Sequence, residues 1–121
     1  MTLLCEFFVP VKTVSEANMR EHWRVKAKRV KEQKRITELA INALTSPRFA
    51  WQPPIEVKLT RVGVRKLDSD NLWGCAKAVR DQVAKWLGVD DGKEDLCSWT
   101  VTQTTGKPVG VRVEVYERGA R

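Results

Sequence analysis

The fold is decided by residues 55–64, which read Ile55-Glu56-Val57-Lys58-Leu59-Thr60-Arg61-Val62-Gly63-Val64. Apolar and polar side chains alternate at the start of this stretch, so Ile55, Val57 and Leu59 share one face. Alternation with a period of two predicts a β-strand that is half buried. We therefore expect a sheet with one face against a core and the other face open to water.

Two elements are predicted before this strand. Residues 2–9 are rich in β-branched and aromatic side chains and stop at a proline, which is typical of a strand. A long helix is expected over about 16–44. Its start is indicated by Thr13 and Glu16, which have the spacing of a capping box, with Ser15 as a competing cap.

Three more elements are predicted after the strand. A second helix is expected over about 71–87, with Gly88 at its C-terminal cap, because one apolar stripe has 4-3-4-3 spacing. The stripe consists of Leu72, Ala76, Val79, Val83 and Trp86. Residues 97–102 and 109–115 alternate again and predict a C-terminal hairpin. The order β-α-β-α-β-β predicts one α+β domain over residues 1–121, with helices on one face of a mixed or antiparallel sheet.

The composition excludes several classes of protein. The chain has 121 residues, of which 42% are apolar and 31% are charged, as in one globular domain. Lysine and arginine number 22 against 15 acids, and the net charge of +7 favours a polyanionic partner. No apolar run approaches the ~20 residues of a membrane span, and the N-terminus lacks the basic region of a signal peptide.

Cysteine and histidine restrict the chemistry further. Cys5, Cys75 and Cys97 form no CxxC pair, so we expect buried thiols in a reducing cytoplasm rather than disulfides or a thiolate zinc site. His22 is the only histidine, which excludes a site with several histidine ligands. Hydrolytic chemistry is therefore expected to use carboxylates and a hard metal ion.

The first predicted helix carries a basic face. Between residues 20 and 35 lie eight basic side chains and two acids. One stripe with 4-4-3-4 spacing contains Arg20, Arg24, Lys28, Lys31 and Arg35. Charges every ~5–6 Å resemble the spacing of phosphates, so the stripe is predicted to contact a nucleic-acid backbone, with an ordinary solvated face as the alternative. Trp23 is expected to anchor the helix in the core rather than to stack on a base.

Two acidic pairs flank the second predicted helix. Asp68 and Asp70 follow a strand, and in an extended chain residues two apart point to the same side about 6.6 Å apart. Their carboxylates repel each other unless a cation lies between them, and magnesium prefers such oxygen ligands. Asp90 and Asp91 form the second pair. Plainer interpretations stay open: Asp68 or Asp70 could cap the helix, and Asp90-Asp91-Gly92 could be a turn.

A more specific pattern runs through this region. It consists of Leu67-Asp68-Ser69-Asp70-Asn71-Leu72, then a helix with Lys77 and Asp81, then Gly88-Val89-Asp90-Asp91. The pattern resembles the RusA family of Holliday junction resolvases, well over about 65–99 and loosely elsewhere. The resemblance implies a small α+β homodimer that cuts four-way DNA junctions with Mg2+ or Mn2+ during recombination and repair. It also implies a bacterial or phage-encoded protein of the cytoplasm, since many members lie in prophages.

The resemblance assigns roles by position. It implies that Asp68, Asp70 and Asp91 are catalytic aspartates that bind the metal, with Asp90 as a helper at the same metal. Lys77 matches a functional lysine, but Trp73-Gly74-Cys75 looks like a three-residue insertion before it. The basic stripe is then expected to bind DNA.

The length of the second helix poses a geometric problem. A straight helix over 71–87 is about 25 Å long, so Asp70 and Asp91 would lie at opposite ends. Antiparallel packing of two protomers would create composite sites, with Asp68 and Asp70 from one chain and Asp91 from its partner. A kink or break near Gly74 is the alternative. Two other functions remain open: a non-catalytic DNA-binding protein, and a metal-dependent nuclease acting on flaps or RNA.

Overall fold

The chain forms an α+β domain with a four-stranded mixed sheet. The computed structural model describes residues 2–13, 23–44, 54–89 and 96–118, and of Asp70 it describes the backbone alone. The elements in chain order are β1 (Thr2–Val9), α1 (Trp23–Asn42), β2 (Ile55–Gly63), α2 (Ser69–Cys75), α3 (Lys77–Leu87), β3 (Cys97–Thr105) and β4 (Gly110–Glu117). The predicted α+β class is confirmed. No helix in the described part of the chain combines the length and apolarity needed to cross a membrane.

The sheet has the strand order β1-β4-β2-β3. β4 pairs antiparallel with both β1 and β2, whereas β3 pairs parallel with β2. The predicted C-terminal hairpin is therefore wrong, because β2 lies between β3 and β4. Alternation along a strand fixes which face is buried but does not fix which strand is its neighbour.

The core lies between one face of the sheet and the helices. Ile55, Val57 and Leu59 are fully buried, as the alternation predicted, and α3 packs onto this face through Val79 and Val83. The rest of the cluster includes Phe7, Val9, Val11, Ile41, Leu87, Cys97, Val111, Val113 and Val115. The cysteines are free thiols, with Cys75 and Cys97 buried and Cys5 partly buried.

The second predicted helix is divided in two. α2 and α3 meet at Ala76, whose backbone N–H donates to the Gly74 carbonyl. The structure thus contains the alternative, a break near Gly74, and the prediction of one uninterrupted helix is wrong. Glycine is a weak helix former, which favours interruption at this place. Gly88 caps α3 in the left-handed conformation, with φ 73°, as predicted.

The first helix packs only through its C-terminal half. Gln33, Thr37 and Ile41 are its buried residues, whereas the side chain of Trp23 is 68% exposed. The prediction that Trp23 anchors the helix in the core is wrong. The first turns of α1 carry basic side chains on several sides, so burying any one face would desolvate charge. The predicted capping residues Ser15 and Glu16 lie outside the described residues.

Candidate active site

Asp68 lies at the N-terminal cap of α2. Its carboxylate Oδ1 accepts a hydrogen bond from the Asn71 backbone N–H at 2.9 Å, and its carbonyl accepts one from Leu72 at 2.9 Å. The capping interpretation is therefore confirmed for Asp68. Its side chain is nevertheless exposed, and among the described residues nothing donates to the other carboxylate oxygen. One hard oxygen atom thus remains open to a cation.

The arrangement of the first acidic pair differs from the prediction. β2 ends at Gly63, and a short connection separates it from Asp68. Asp70 already lies within α2, because Asp68 caps a helix that begins at Ser69. The extended geometry expected for residues two apart is therefore wrong. The side chain of Asp70 lies outside what the structure describes.

The second acidic pair lies outside the described residues. This holds for both Asp90 and Asp91, since the structure describes α3 and its cap as far as Val89. Within residues 2–13, 23–44, 54–89 and 96–118, no three acidic, cysteine or histidine side chains form a group that could hold a metal. Of the four predicted ligands, the side chain of Asp68 alone is described.

The connection before Asp68 is held by two side chains that the sequence did not single out. The Gln103 amide donates from Nε2 to the Leu67 carbonyl at 2.6 Å and accepts from the Leu67 N–H at 2.8 Å. Arg61 donates from Nη1 to the Arg65 carbonyl at 2.6 Å. For Arg61, the alternation along β2 contained a signal. Arg61 continues the inward phase of Ile55, Val57 and Leu59, where a charged side chain is unexpected.

Lys77 begins α3 and points into solvent. Its Nζ lies 3.1 Å from Oδ2 of Asp81, one helical turn along, and the lysine side chain is 62% exposed. An exposed pair of this kind contributes only about 0.3–0.5 kcal/mol. The ammonium group is therefore free to exchange Asp81 for a phosphate oxygen at little energetic cost.

The predicted basic stripe is exposed wherever it is described. Arg24, Lys28 and Lys31 are open to solvent, and the Arg24 guanidinium lies 5.2 Å from the centre of the Trp23 ring. Arg35 is also exposed, but its Nε donates to Glu32 at 3.0 Å. This hydrogen bond raises the pKa of Arg35 and lowers the pKa of the Glu32 carboxyl. Arg20 lies outside the described residues.

A second aromatic side chain lies close to the acidic segment. Trp73 on α2 is 40% exposed. The Arg80 guanidinium lies 5.7 Å from the centre of its ring. Trp73, Lys77 and Arg80 thus place aromatic and basic groups near the start of α3.

No family model, curated protein or solved structure matches the chain.

Proposed function

We propose that the protein is a magnesium-dependent endonuclease of the RusA type that cuts four-way DNA junctions as a homodimer. The observation that carries the proposal is the exposed carboxylate of Asp68, fixed at the head of α2. This residue opens the string Asp68-Ser69-Asp70-Asn71-Leu72, whose spacing to Asp91 resembles the RusA family.

The four aspartates would hold the metal. Asp68 fits such a role, because a carboxylate supplies the hard oxygen that Mg2+ or Mn2+ prefers and one of its oxygens is open. Asp70 and Asp91 would complete the catalytic set, with Asp90 beside them. When bound, the metal would lower the pKa of a water molecule and make it a nucleophile towards a phosphodiester.

The basic side chains would hold the DNA. Lys77 would bind a phosphate and stabilise charge in the transition state, because it is exposed and only weakly paired. Arg20, Arg24, Lys28, Lys31 and Arg35 would contact the backbone. Contacts of this kind recognise phosphates rather than base edges, which suits an enzyme that selects the shape of a junction.

A two-fold dimer would place two such sites on one junction, as paired incision requires. The composite arrangement, with Asp91 supplied by the partner, remains a proposal. The break at Ala76 means that it no longer follows from the length of one straight helix. A bacterial or phage-encoded protein acting in the cytoplasm belongs to the same proposal.

The experiment compares the parent with Asp70→Asn on a four-way junction in Mg2+. We expect the parent to nick the junction and the variant to bind it without cutting, because Asn keeps the size of the side chain but removes its charge. Equal cutting by both proteins would exclude Asp70 from the mechanism.

One observation favours a second candidate, a non-catalytic DNA-binding protein. Asp68 has a sufficient structural role as a cap, so it needs no metal to explain its presence. Such a protein would bind junctions equally well in EDTA and would cut none in Mg2+.

A further inference from the structure

Two facing residues of the sheet hold the connection that leads to Asp68. Arg61 on β2 and Gln103 on β3 are partners in the parallel register of these strands. Both lie near the ends of their strands, and both form hydrogen bonds with backbone atoms of residues 65–67. The path of the chain into α2 is therefore set from both strands.

Gln103 acts on Leu67 as a neighbouring strand would. Its amide gives one donor and one acceptor to the carbonyl and the N–H of the same residue, at 2.6 and 2.8 Å. A side chain that satisfies both backbone groups fixes the orientation of both flanking peptide planes. One of those planes joins Leu67 to Asp68, so the bond acts directly on the backbone of the capping aspartate.

Arg61 supports the same segment from within the core. The residue is only 7% exposed, and its guanidinium donates to the Arg65 carbonyl and, from Nε at 2.8 Å, to Thr13 Oγ1. In the described part of the chain no carboxylate pairs with it. Burying a guanidinium is costly unless its donors are paired, and these two bonds pair two of them.

Gly63 makes room for this guanidinium. A Cβ atom at Gly63 would lie 2.6 Å from Cζ and Nη2 of Arg61, which is too close for any real contact. If the guanidinium moved aside, its hydrogen bonds to Arg65 and Thr13 would be disturbed. The absence of a side chain at residue 63 and the placement of Arg61 therefore belong to one arrangement.

We propose that Arg61 and Gln103 are positioning residues that set the carboxylate of Asp68 for cation binding and catalysis. This inference rests on the proposed nuclease function. The cap bond to Asn71 fixes one carboxylate oxygen relative to α2, and the two side chains fix the backbone from which that carboxylate projects. A displacement of about 1 Å at a catalytic group can lower a rate about 100-fold.

The test replaces Gln103 with leucine, which has a similar volume and no hydrogen-bonding group. The matched control is Thr102→Val, one residue away, which removes the side-chain bond to Thr60 at 3.2 Å without touching Leu67. Three quantities are measured for each protein. They are the rate of amide exchange at Leu67, the Mn2+ affinity from the broadening of NMR signals of residues 67–72, and the steady-state rate of junction cleavage.

For Gln103→Leu we expect three changes. Exchange of the Leu67 amide rises at least ~10-fold, because its acceptor is lost. Mn2+ affinity falls about 10-fold, and kcat falls about 10–100-fold while KM for the junction stays within about 2-fold. The melting temperatures of both variants stay within roughly 5 °C of the parent, and the control changes neither affinity nor rate.

If Gln103→Leu shows faster exchange at Leu67 but unchanged Mn2+ affinity and kcat, the positioning role is overturned. Unchanged exchange at Leu67 in this variant would also overturn it. A parent that binds Mn2+ at residues 67–72 but cuts no junction would contradict the nuclease function alone, and the affinity of Gln103→Leu would still decide the inference. A parent that binds no Mn2+ there would overturn both.

A second variant guards against misfolding of the first. Gly63→Ala leaves Gln103 in place and displaces the Arg61 guanidinium through the added Cβ. As for Gln103→Leu, we expect the Mn2+ affinity and kcat to fall while KM for the junction stays unchanged. Parent-like values for this folded variant would remove Arg61 from the proposal.

Discussion

Replacing Asp68 with asparagine or with alanine separates its role as a helix cap from its proposed role as a metal ligand. Asparagine caps helices as well as aspartate, so Asp68→Asn keeps the bond to the Asn71 N–H, while Asp68→Ala removes it. Loss of the cap costs about 1 kcal/mol, which lowers the melting temperature of a domain of this size by roughly 3–6 °C. Asp68→Asn should lose only a few tenths of a kcal/mol, from a weaker interaction with the helix dipole.

Catalysis should respond in a different way. Both variants remove the negative charge that would bind the metal, so both should lose at least about 100-fold in kcat, equivalent to about 2.7 kcal/mol. Thermal unfolding and junction cleavage in Mg2+ are measured on the same three proteins. Parent-like cleavage by Asp68→Asn would show that Asp68 serves only as a cap and would refute the proposed metal role.

Two further predictions concern the basic stripe and the buried thiols. Replacing both Lys28 and Lys31 with alanine should reduce the slope of log Kd for the junction against log salt concentration by about 2 units. The control Lys107→Ala, on the turn after β3, should leave this slope unchanged. Equal slopes for the parent and the double variant would exclude the stripe from the interface. Burial raises the pKa of both Cys5 and Cys97 to about 11, whereas the unfolded thiols ionise near 9.0. As pH rises, the unfolded chain therefore loses these protons before the folded chain does. The free energy of unfolding should then fall as pH rises from about 9 to 11. Urea unfolding at several pH values tests this, and a Cys97→Ala variant with the same pH slope as the parent would contradict it.

The sequence predicted the helices and strands better than it predicted which strands pair in the sheet. The alternation at Ile55, Val57 and Leu59 identified the buried face of β2, and the glycine at residue 88 marked the end of α3. The C-terminal hairpin was wrong because valines 111, 113 and 115 would alternate in the same way beside any strand. Strand order depends on long-range pairing, which a local period does not encode.

The capping role of Asp68 was predictable from the sequence, but the geometry of the acidic segment was not. The spacing of Asp68 and Asp70 suggested an extended pair, yet the capping ability of Asp68 started a helix between them. Gln103 was missed because it acts on backbone atoms of Leu67, 36 residues away, and such a bond leaves no motif in the sequence. Arg61 was missed although its inward position on β2 was visible in the alternation, because the sequence does not show that its guanidinium bonds to the Arg65 carbonyl. The core position predicted for Trp23 was wrong, because an apolar side chain on a helix is buried only where another element covers it.

We propose that this chain cuts branched DNA with the help of a metal ion. The most direct measurement is the rate of nicking of a four-way junction and of a linear duplex with the same arms, in Mg2+ and in EDTA, with binding followed in parallel. We expect nicking of the junction in Mg2+ alone, little nicking of the duplex, and junction binding in both buffers. Binding without any Mg2+-dependent nicking would contradict the claim and would favour a non-catalytic DNA-binding protein.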